Sequence, residues 1–214
     1  WLFFFREKEI VMIKKLILGM MQTNCYVVYN SEKECIVIDP GANGQKVAKF
    51  IDENELFLKA ILLTHGHFDH VGAVDYLYSK YKCSIYTHKE SIELMRDAQL
   101  NLSFYEKSFT VDSPIQEAHD KMVLAGYEIR WLLLEGHCQG SSMIYIPSEN
   151  ALMSGDVLFA GSIGRYDFPT SSHLQTKKSL EQIKEFTFDA RLLPGHGEES
   201  TLKYEQQNNP YLKS

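Results

Sequence analysis

No run in this 214-residue sequence reaches the roughly 18 unbroken apolar residues that a membrane-spanning helix requires; its longest apolar stretches are strand-sized. No membrane span is expected. Cysteine is scarce as well. Cys25, Cys35, Cys83 and Cys138 are widely spaced, form no C-x-x-C pair and sit mostly within apolar runs. This argues against a disulfide framework and for a reducing, cytoplasmic setting. Basic charge falls short of acidic charge, with 22 Lys and Arg against 28 Asp and Glu and a net charge of −6. The global positive field that gathers nucleic-acid phosphates is therefore missing, and nucleic acid is not an expected partner. Repeats, low-complexity tracts and Pro- or Ser-rich linkers are lacking too, and with them any mark of an internal boundary. Residues 12–214 read as a single domain of ample length for a buried core. The apolar opening Trp1 to Phe5 has neither the basic flank nor the cleavage site of a secretory signal. Because Met12-Ile13-Lys14-Lys15 reads as a natural beginning, residues 1–11 are expected to be an N-terminal extension.

What is present is an alternation of short β-rich runs and helical ones. Ile13 to Leu18, Cys25 to Tyr29 and Cys35 to Ile38 read as an early β-meander. Gly44 to Glu53 carries helical spacing through Val47, Phe50 and Ile51. Leu58 to Leu63 reads as a buried strand running into a polar loop, followed by a helix from Val71 to Tyr81. Further strands are expected at Ser84 to Thr87, Tyr127 to Leu134, Ser141 to Ile146, Ala151 to Ser154 and Arg191 to Leu193, with a helix from His173 to Lys184. The segment from Arg96 to Asp120 carries little signal and reads as a lid or a long surface connection. Many short strands with interspersed helices suggest an α/β fold of two sheets packed together with helices outside.

The polar loop is Thr64-His65-Gly66-His67-Phe68-Asp69-His70. It places imidazole nitrogens and a carboxylate within a few residues, ligand types that suit zinc or iron. Alone, Asp69 could cap the following helix and any one histidine could be an ordinary core or surface residue. Together, His65, His67, Asp69 and His70 read as a metal site. Three later segments share the pattern of a polar residue after a strand and beside glycine: Glu135-Gly136-His137, Ser154-Gly155-Asp156 and Pro194-Gly195-His196-Gly197. Each one alone serves equally well as a turn. Together they could converge at one sheet edge.

Taken in this order, these motifs resemble the metallo-β-lactamase superfamily across nearly the whole chain. The stretches Ser154 to Arg165 and Leu193 to Gly197 resemble its glyoxalase II branch, in particular the short bacterial hydroxyacylglutathione hydrolases. The resemblance implies an αββα sandwich of two mixed β-sheets flanked by helices. It implies two divalent metal ions, zinc foremost, with iron or manganese as alternatives. His65, His67 and His137 would hold the first, Asp69, His70 and His196 the second, and Asp156 would bridge them. It further implies hydrolysis of a small-molecule thioester such as S-lactoylglutathione by a hydroxide shared between the cations. Asp69 would be the catalytic group relaying the proton. Arg165 stands where relatives place a basic residue against the anionic glutathione moiety, and an internal pair with Asp167 is the equal alternative. Asp39, in Asp39-Pro40-Gly41, is either a carboxylate orienting a ligand histidine or an Asx turn. Cys138 stands where relatives carry Thr.

Other functions of the same motifs stay open. A lactonase would share the ligand set and differ in the pocket. A sulfur dioxygenase would use one iron on His65, His137 and Asp156, leaving positions free for oxygen. A β-lactamase is disfavoured, since Asp156 stands where those enzymes place Cys or Ser. A non-enzymatic module would need structural metals, which usually sit in closed, cysteine-rich sites.

Overall fold

The computed structural model describes residues 12–213, so the expected extension at residues 1–11 lies outside the described residues. The first sheet contains β1 (Met12–Leu18), β2 (Thr23–Tyr29), β3 (Glu34–Ile38), β4 (Phe57–Leu62), β5 (Ser84–Thr87) and β6 (Gln116–Glu117), paired in that order. The second contains β7 (Lys121–Leu124), β8 (Tyr127–Leu133), β9 (Ser142–Ile146), β10 (Ala151–Gly155), β11 (Arg191–Pro194) and β12 (Ser200–Thr201), again paired in sequence. The helices are α1 (Gly44–Glu53), α2 (Phe68–Val71), α3 (Val74–Tyr81), α4 (Lys89–Met95), α5 (His173–Lys184), α6 (Leu202–Asn208) and α7 (Pro210–Lys213). The first three strands form the expected meander, and β3 to β6 then run parallel. The second sheet is antiparallel except where β10 meets β11. Both sheets are mixed.

The layering follows from which side chains the strands bury. Along β2, Cys25 and Val27 enter a core beneath α1 and α3, whereas Tyr26 and Val28 face the second sheet. In β3, Cys35 and Val37 alternate in the same way with Ile36 and Ile38. Successive side chains point to opposite faces, so a strand covered on both sides reads as an unbroken apolar run. Trp131, Ile144 and Met153 of the second sheet meet Val28, Ile38 and Leu62 of the first. On the far side, Met143, Leu152 and Leu192 pack under Ile183, Leu202 and Leu212 of α5, α6 and α7. Helix, sheet, sheet, helix is the resulting stack, as expected.

One local reading is corrected, and one helix is added. The helix expected from Val71 to Tyr81 is two, α2 and α3, broken at Gly72 and Ala73. There the Ala73 amide donates to the Pro40 carbonyl at 2.9 Å, so a tertiary contact replaces the helical bond. Helix α4, for which the sequence offered no reading, is opened by His88, whose Nδ1 accepts from the Glu90 amide at 3.4 Å. The weak segment beyond it is a long connection tied to its surroundings: Arg96 donates to the carbonyls of Val111 and Ser113, and Asp75 accepts from the amides of Asp112 and Ser113. No helix among the described residues is long and apolar enough to cross a membrane.

Candidate metal centre

Strands β4, β8, β10 and β11 all deliver a candidate ligand just past their C-terminal ends, at one edge of the sandwich. Strand β4 runs into the loop that carries His65 and His67, and α2 then carries Asp69 and His70. The Phe68 amide donates to the Asn101 carbonyl at 2.7 Å, which anchors α2 to the segment that carried little sequence signal. Glycine is required where these loops converge. A Cβ at Gly195 would press on Asp156 Oδ1 and His70 Cε1, and one at Gly41 would overlap the Asp69 carbonyl.

The structure brings every candidate ligand into one cluster, with His65, His67, His70 and His137 buried and Asp69, Asp156 and His196 half-buried. His67 Nδ1 lies 2.9 Å from His137 Nε2, and His70 Nε2 lies 3.4 Å from His196 Nε2. Asp156 joins the two halves: Oδ1 is 3.3 Å from His70 Nε2, and Oδ2 is 3.6 Å from both His137 Nε2 and His196 Nε2. Asp69 Oδ2 lies 3.1 Å from His196 Nε2 and 3.6 Å from His70 Nε2. His65 stands over this set, its ring 4.1 Å from that of His70. Nitrogen facing nitrogen at such distances is unfavourable unless a proton or a cation lies between. His65 Nε2 and His67 Nε2 are moreover buried with no hydrogen-bond partner. Buried polar atoms are normally satisfied, and this imidazole and carboxylate donor set fits divalent metal ions. Ligand atoms of His65, His70 and Asp156, and likewise of Asp69, His70 and His196, lie within 4.8 Å of one another.

The far sides of four of the five imidazoles, those of His65, His70, His137 and His196, are each held by a neighbour. Asp39 accepts through Oδ2 from the Thr64 hydroxyl at 2.6 Å and contacts His70 Nδ1 at 3.0 Å, while Thr64 Oγ1 lies 3.1 Å from His65 Nδ1. Asp39 therefore orients the ring of His70 and, through Thr64, that of His65, and is no Asx turn. His137 Nδ1 contacts the Arg165 carbonyl at 2.8 Å, and His196 Nδ1 the Met21 carbonyl at 3.1 Å. Thr23 donates its hydroxyl to Asp69 Oδ2 at 3.1 Å. The two halves differ electrostatically. Burial holds His65 well below its ordinary pKa and pushes His67 down to about 3, with His137 lowered in the same way. Burial also opposes the charge on His70, but Asp69, Asp156 and Asp39 outweigh it and hold that imidazole well above its ordinary value. His196 is likewise raised, burial being overcome by its bond to Asp69 and by Asp156. Burial works against the carboxylates too, yet the cationic histidines keep Asp69 and Asp156 below their usual range.

Two further residues behave differently from the ligands. Arg165 reaches the pocket rim, but Nε and Nη2 each donate to Asp167 at 2.9 Å and the guanidinium stacks on Phe168, 4.4 Å from the ring centre. Its carbonyl, not its side chain, touches a candidate ligand. Cys138 is buried beneath His65, His67 and His137, with Sγ 3.1 Å from Ser141 Oγ, and burial pushes its thiol up to about 12. His119 and His173 are exposed and take no part. Sequence reasoning missed Met21, Thr23 and Asn101; two of these act through backbone carbonyls, which leave no residue-type signal. Above the cluster opens a pocket of about 680 Å³ walled by Phe68, Leu102, Phe159, Ile163 and Phe168.

The chain is 30% identical over 200 residues to the hydroxyacylglutathione hydrolase GloC of Haemophilus influenzae, a match that covers 90% of this chain and 94% of that protein. Among solved structures it resembles BLEG-1, a B3 metallo-beta-lactamase, with a TM-score of 0.89 and 32% identity over 95% of this chain and all of the other. It also resembles TTHA1623 in a di-iron-bound form, with a TM-score of 0.83 and 34% identity over 92% of this chain and 99% of that one. The family model of the metallo-beta-lactamase superfamily matches residues 18–196, a span that ends on the last candidate ligand, His196. The chain belongs to the metallo-β-lactamase superfamily and is a metal-dependent hydrolase of that family.

Proposed function

We propose that the protein hydrolyses a small-molecule thioester, with S-lactoylglutathione as the type substrate. His65, His67 and His137 would hold one cation, Asp69, His70 and His196 a second, with Asp156 between them. Zinc is the first choice, and the di-iron form of TTHA1623 makes iron the alternative. Cations held there supply Lewis acidity toward a carbonyl and lower the pKa of water. The remaining work falls to the protein. Phe68, Phe159 and Phe168 wall the pocket and exclude bulk water around the scissile carbonyl. As water adds to the carbonyl carbon and the C–S bond breaks, Asp69 Oδ2 takes up the water's proton and returns it to the departing thiolate. The Thr23 hydroxyl and His196 keep Asp69 in place for this. Arg165, once released from Asp167, would contact the anionic end of the thiol. The four buried free cysteines fit a reducing, cytoplasmic setting.

The observation that carries this reading is the complete donor set around Asp156, together with the likeness to GloC. A second reading is opening of a β-lactam at the same centre, favoured by the likeness to BLEG-1. Metal content by mass spectrometry, hydrolysis of S-lactoylglutathione and of a chromogenic cephalosporin, and oxygen uptake with glutathione persulfide, all on one sample, separate the readings. About two cations per chain with thioester cleavage are expected. A single iron with oxygen uptake and no hydrolysis would transfer the site to persulfide oxidation, and cephalosporin cleavage alone would transfer it to β-lactams.

A further inference from the structure

The pocket over the metal centre does not stop there. Past Met21, Phe68 and Glu106 it continues into a second cavity of about 490 Å³, walled by Leu18, Met20, Ala42 and Phe109. Both cavities include Met21, Phe68, Asp69 and Glu106 in their walls, so the two join at Asp69, while His67, His137, Asp156 and His196 line the first alone. The apolar character continues to the rim, where Met20 is 83% exposed, Met21 51% and Tyr105 76%. Large apolar side chains gathered around a cleft, rather than scattered singly, mark a surface built to be covered by a ligand.

Each cavity carries a single lysine or arginine side chain, with carboxylates in the same wall. The only lysine or arginine among the described residues around the metal-centre pocket is Arg165, which lines that cavity and not the second and is gripped by Asp167. The second cavity has a single lysine, Lys107, beside the carboxylates of Asp75 and Glu106. An anionic group has little to hold it there, whereas an uncharged hydrocarbon chain meets methionine, leucine and phenylalanine along the wall.

We infer that the groove from Asp69 to Phe109 takes the acyl portion of the substrate, and that this portion is an uncharged, apolar chain longer than lactoyl, with the thiol portion lying toward Arg165. This rests on the thioester reading above and names the substrate class for it. Each methylene buried along the wall lowers the free energy of the bound state, which corresponds to up to about fourfold per methylene in kcat/KM.

The test uses the metal-loaded enzyme and acyl thioesters of N-acetylcysteamine, an uncharged thiol, with acetyl, butanoyl, hexanoyl and octanoyl chains. S-lactoylglutathione is run beside them. The expected result is a kcat/KM that climbs by roughly two- to fourfold per methylene. In Met20→Glu, whose side chain is too exposed to carry the fold, the ratio of octanoyl to acetyl values falls about tenfold or more. A second readout needs no turnover. In metal-free protein labelled at methionine methyls, the octyl thioether of N-acetylcysteamine should shift the Met20 and Met21 resonances, and the ethyl thioether should not. A chain-length profile that is flat or falling, or a slope that follows the thiol chain instead, would overturn the inference and leave thioester hydrolysis standing. Failure to cleave any thioester, with no methionine shifts, would sink both together, and methionine shifts without cleavage would keep the groove and remove the thioester reading.

Discussion

Asp39, the residue after β3, meets His70 of α2, its Oδ2 at 3.0 Å from Nδ1, from a backbone held in the left-handed region at φ 51°. The same carboxylate receives the amide of Thr64 at 2.8 Å and its hydroxyl at 2.6 Å, so one side chain fixes both the end of β4 and the ring of a candidate ligand. Replacing it by asparagine keeps the size and removes the charge. Asp39→Asn should therefore fold and bind divalent metal about 10- to 100-fold more weakly, with activity falling in proportion unless metal is supplied in excess. Competition for zinc against a chromophoric chelator measures this. Unchanged affinity would leave Asp39 a role in folding alone.

The electrostatic split between the two halves predicts how metal uptake responds to pH. In the empty protein burial keeps His65, His67 and His137 neutral, whereas the surrounding carboxylates keep His70, and with it His196, protonated to higher pH. A cation can be ligated only after these two lose their protons, so loading at pH 7 should release about one to two protons per chain. Calorimetric titration in buffers of differing ionisation enthalpy reads the number directly, and a value of zero would refute the split. The sign for stability is opposite in the empty state. A histidine whose folded pKa is raised contributes stability below its unfolded value near 6.5, and loses it as pH climbs through the folded pKa. The metal-free protein should accordingly weaken above neutral pH while the loaded protein does not.

The cluster of candidate ligands was legible in the sequence because its signal is chemical and local: three histidines and an aspartate within six residues, then glycine-flanked polar residues after strands. The strands were legible because β2 and β3 bury both faces and so read as apolar runs. Helix α4 was not, since its cap is a histidine and only Ser91, Leu94 and Met95 of its residues are buried. Nor was the break at Gly72, which depends on the Pro40 carbonyl arriving from far back in the chain. Arg165 shows the remaining difficulty. Its residue type suggested an anion contact, but its neighbour two positions on decides where the guanidinium points.

That neighbour gives a test. Arg165 and Asp167 are both exposed, at 67% and 65%, and an exposed pair stabilises a fold by about 0–1 kcal/mol. Asp167→Ala should thus leave thermal stability nearly unchanged while freeing the guanidinium, and the KM for S-lactoylglutathione should fall by roughly threefold. Arg165→Ala should raise the same KM by about tenfold, the scale of a hydrogen bond to a charged group. Steady-state kinetics on the loaded enzymes decides the matter. If neither KM moves, Arg165 serves the site through its carbonyl on His137 and nothing more.

The C-terminal helices bear on the site through Glu205. Fully buried in α6, it accepts from the Gly161 amide at 2.8 Å, from Ser200 Oγ at 2.5 Å and from Asn209 Nδ2 at 2.9 Å. Asn209 in turn donates to the carbonyls of Phe159 and Ser162, closing the loop that walls the pocket and places the Phe159 ring 6.1 Å from that of His196. Glu205→Ala would strand these donors without an acceptor, at a cost of about 1–3 kcal/mol for each one left buried. With three donors affected, the expected drop in Tm is roughly 6 °C or more, since a chain of this length loses about 2–4 °C per kcal/mol. Assayed well below that Tm and fully loaded with metal, the variant should show a raised KM with a smaller change in kcat, because the loop shapes the pocket and does not touch the reacting atoms. Glu205→Gln, which keeps an acceptor oxygen, should recover most of the KM and part of the stability. A variant that loses stability with no change in KM would show that the clamp on the Phe159 loop serves folding and not substrate binding.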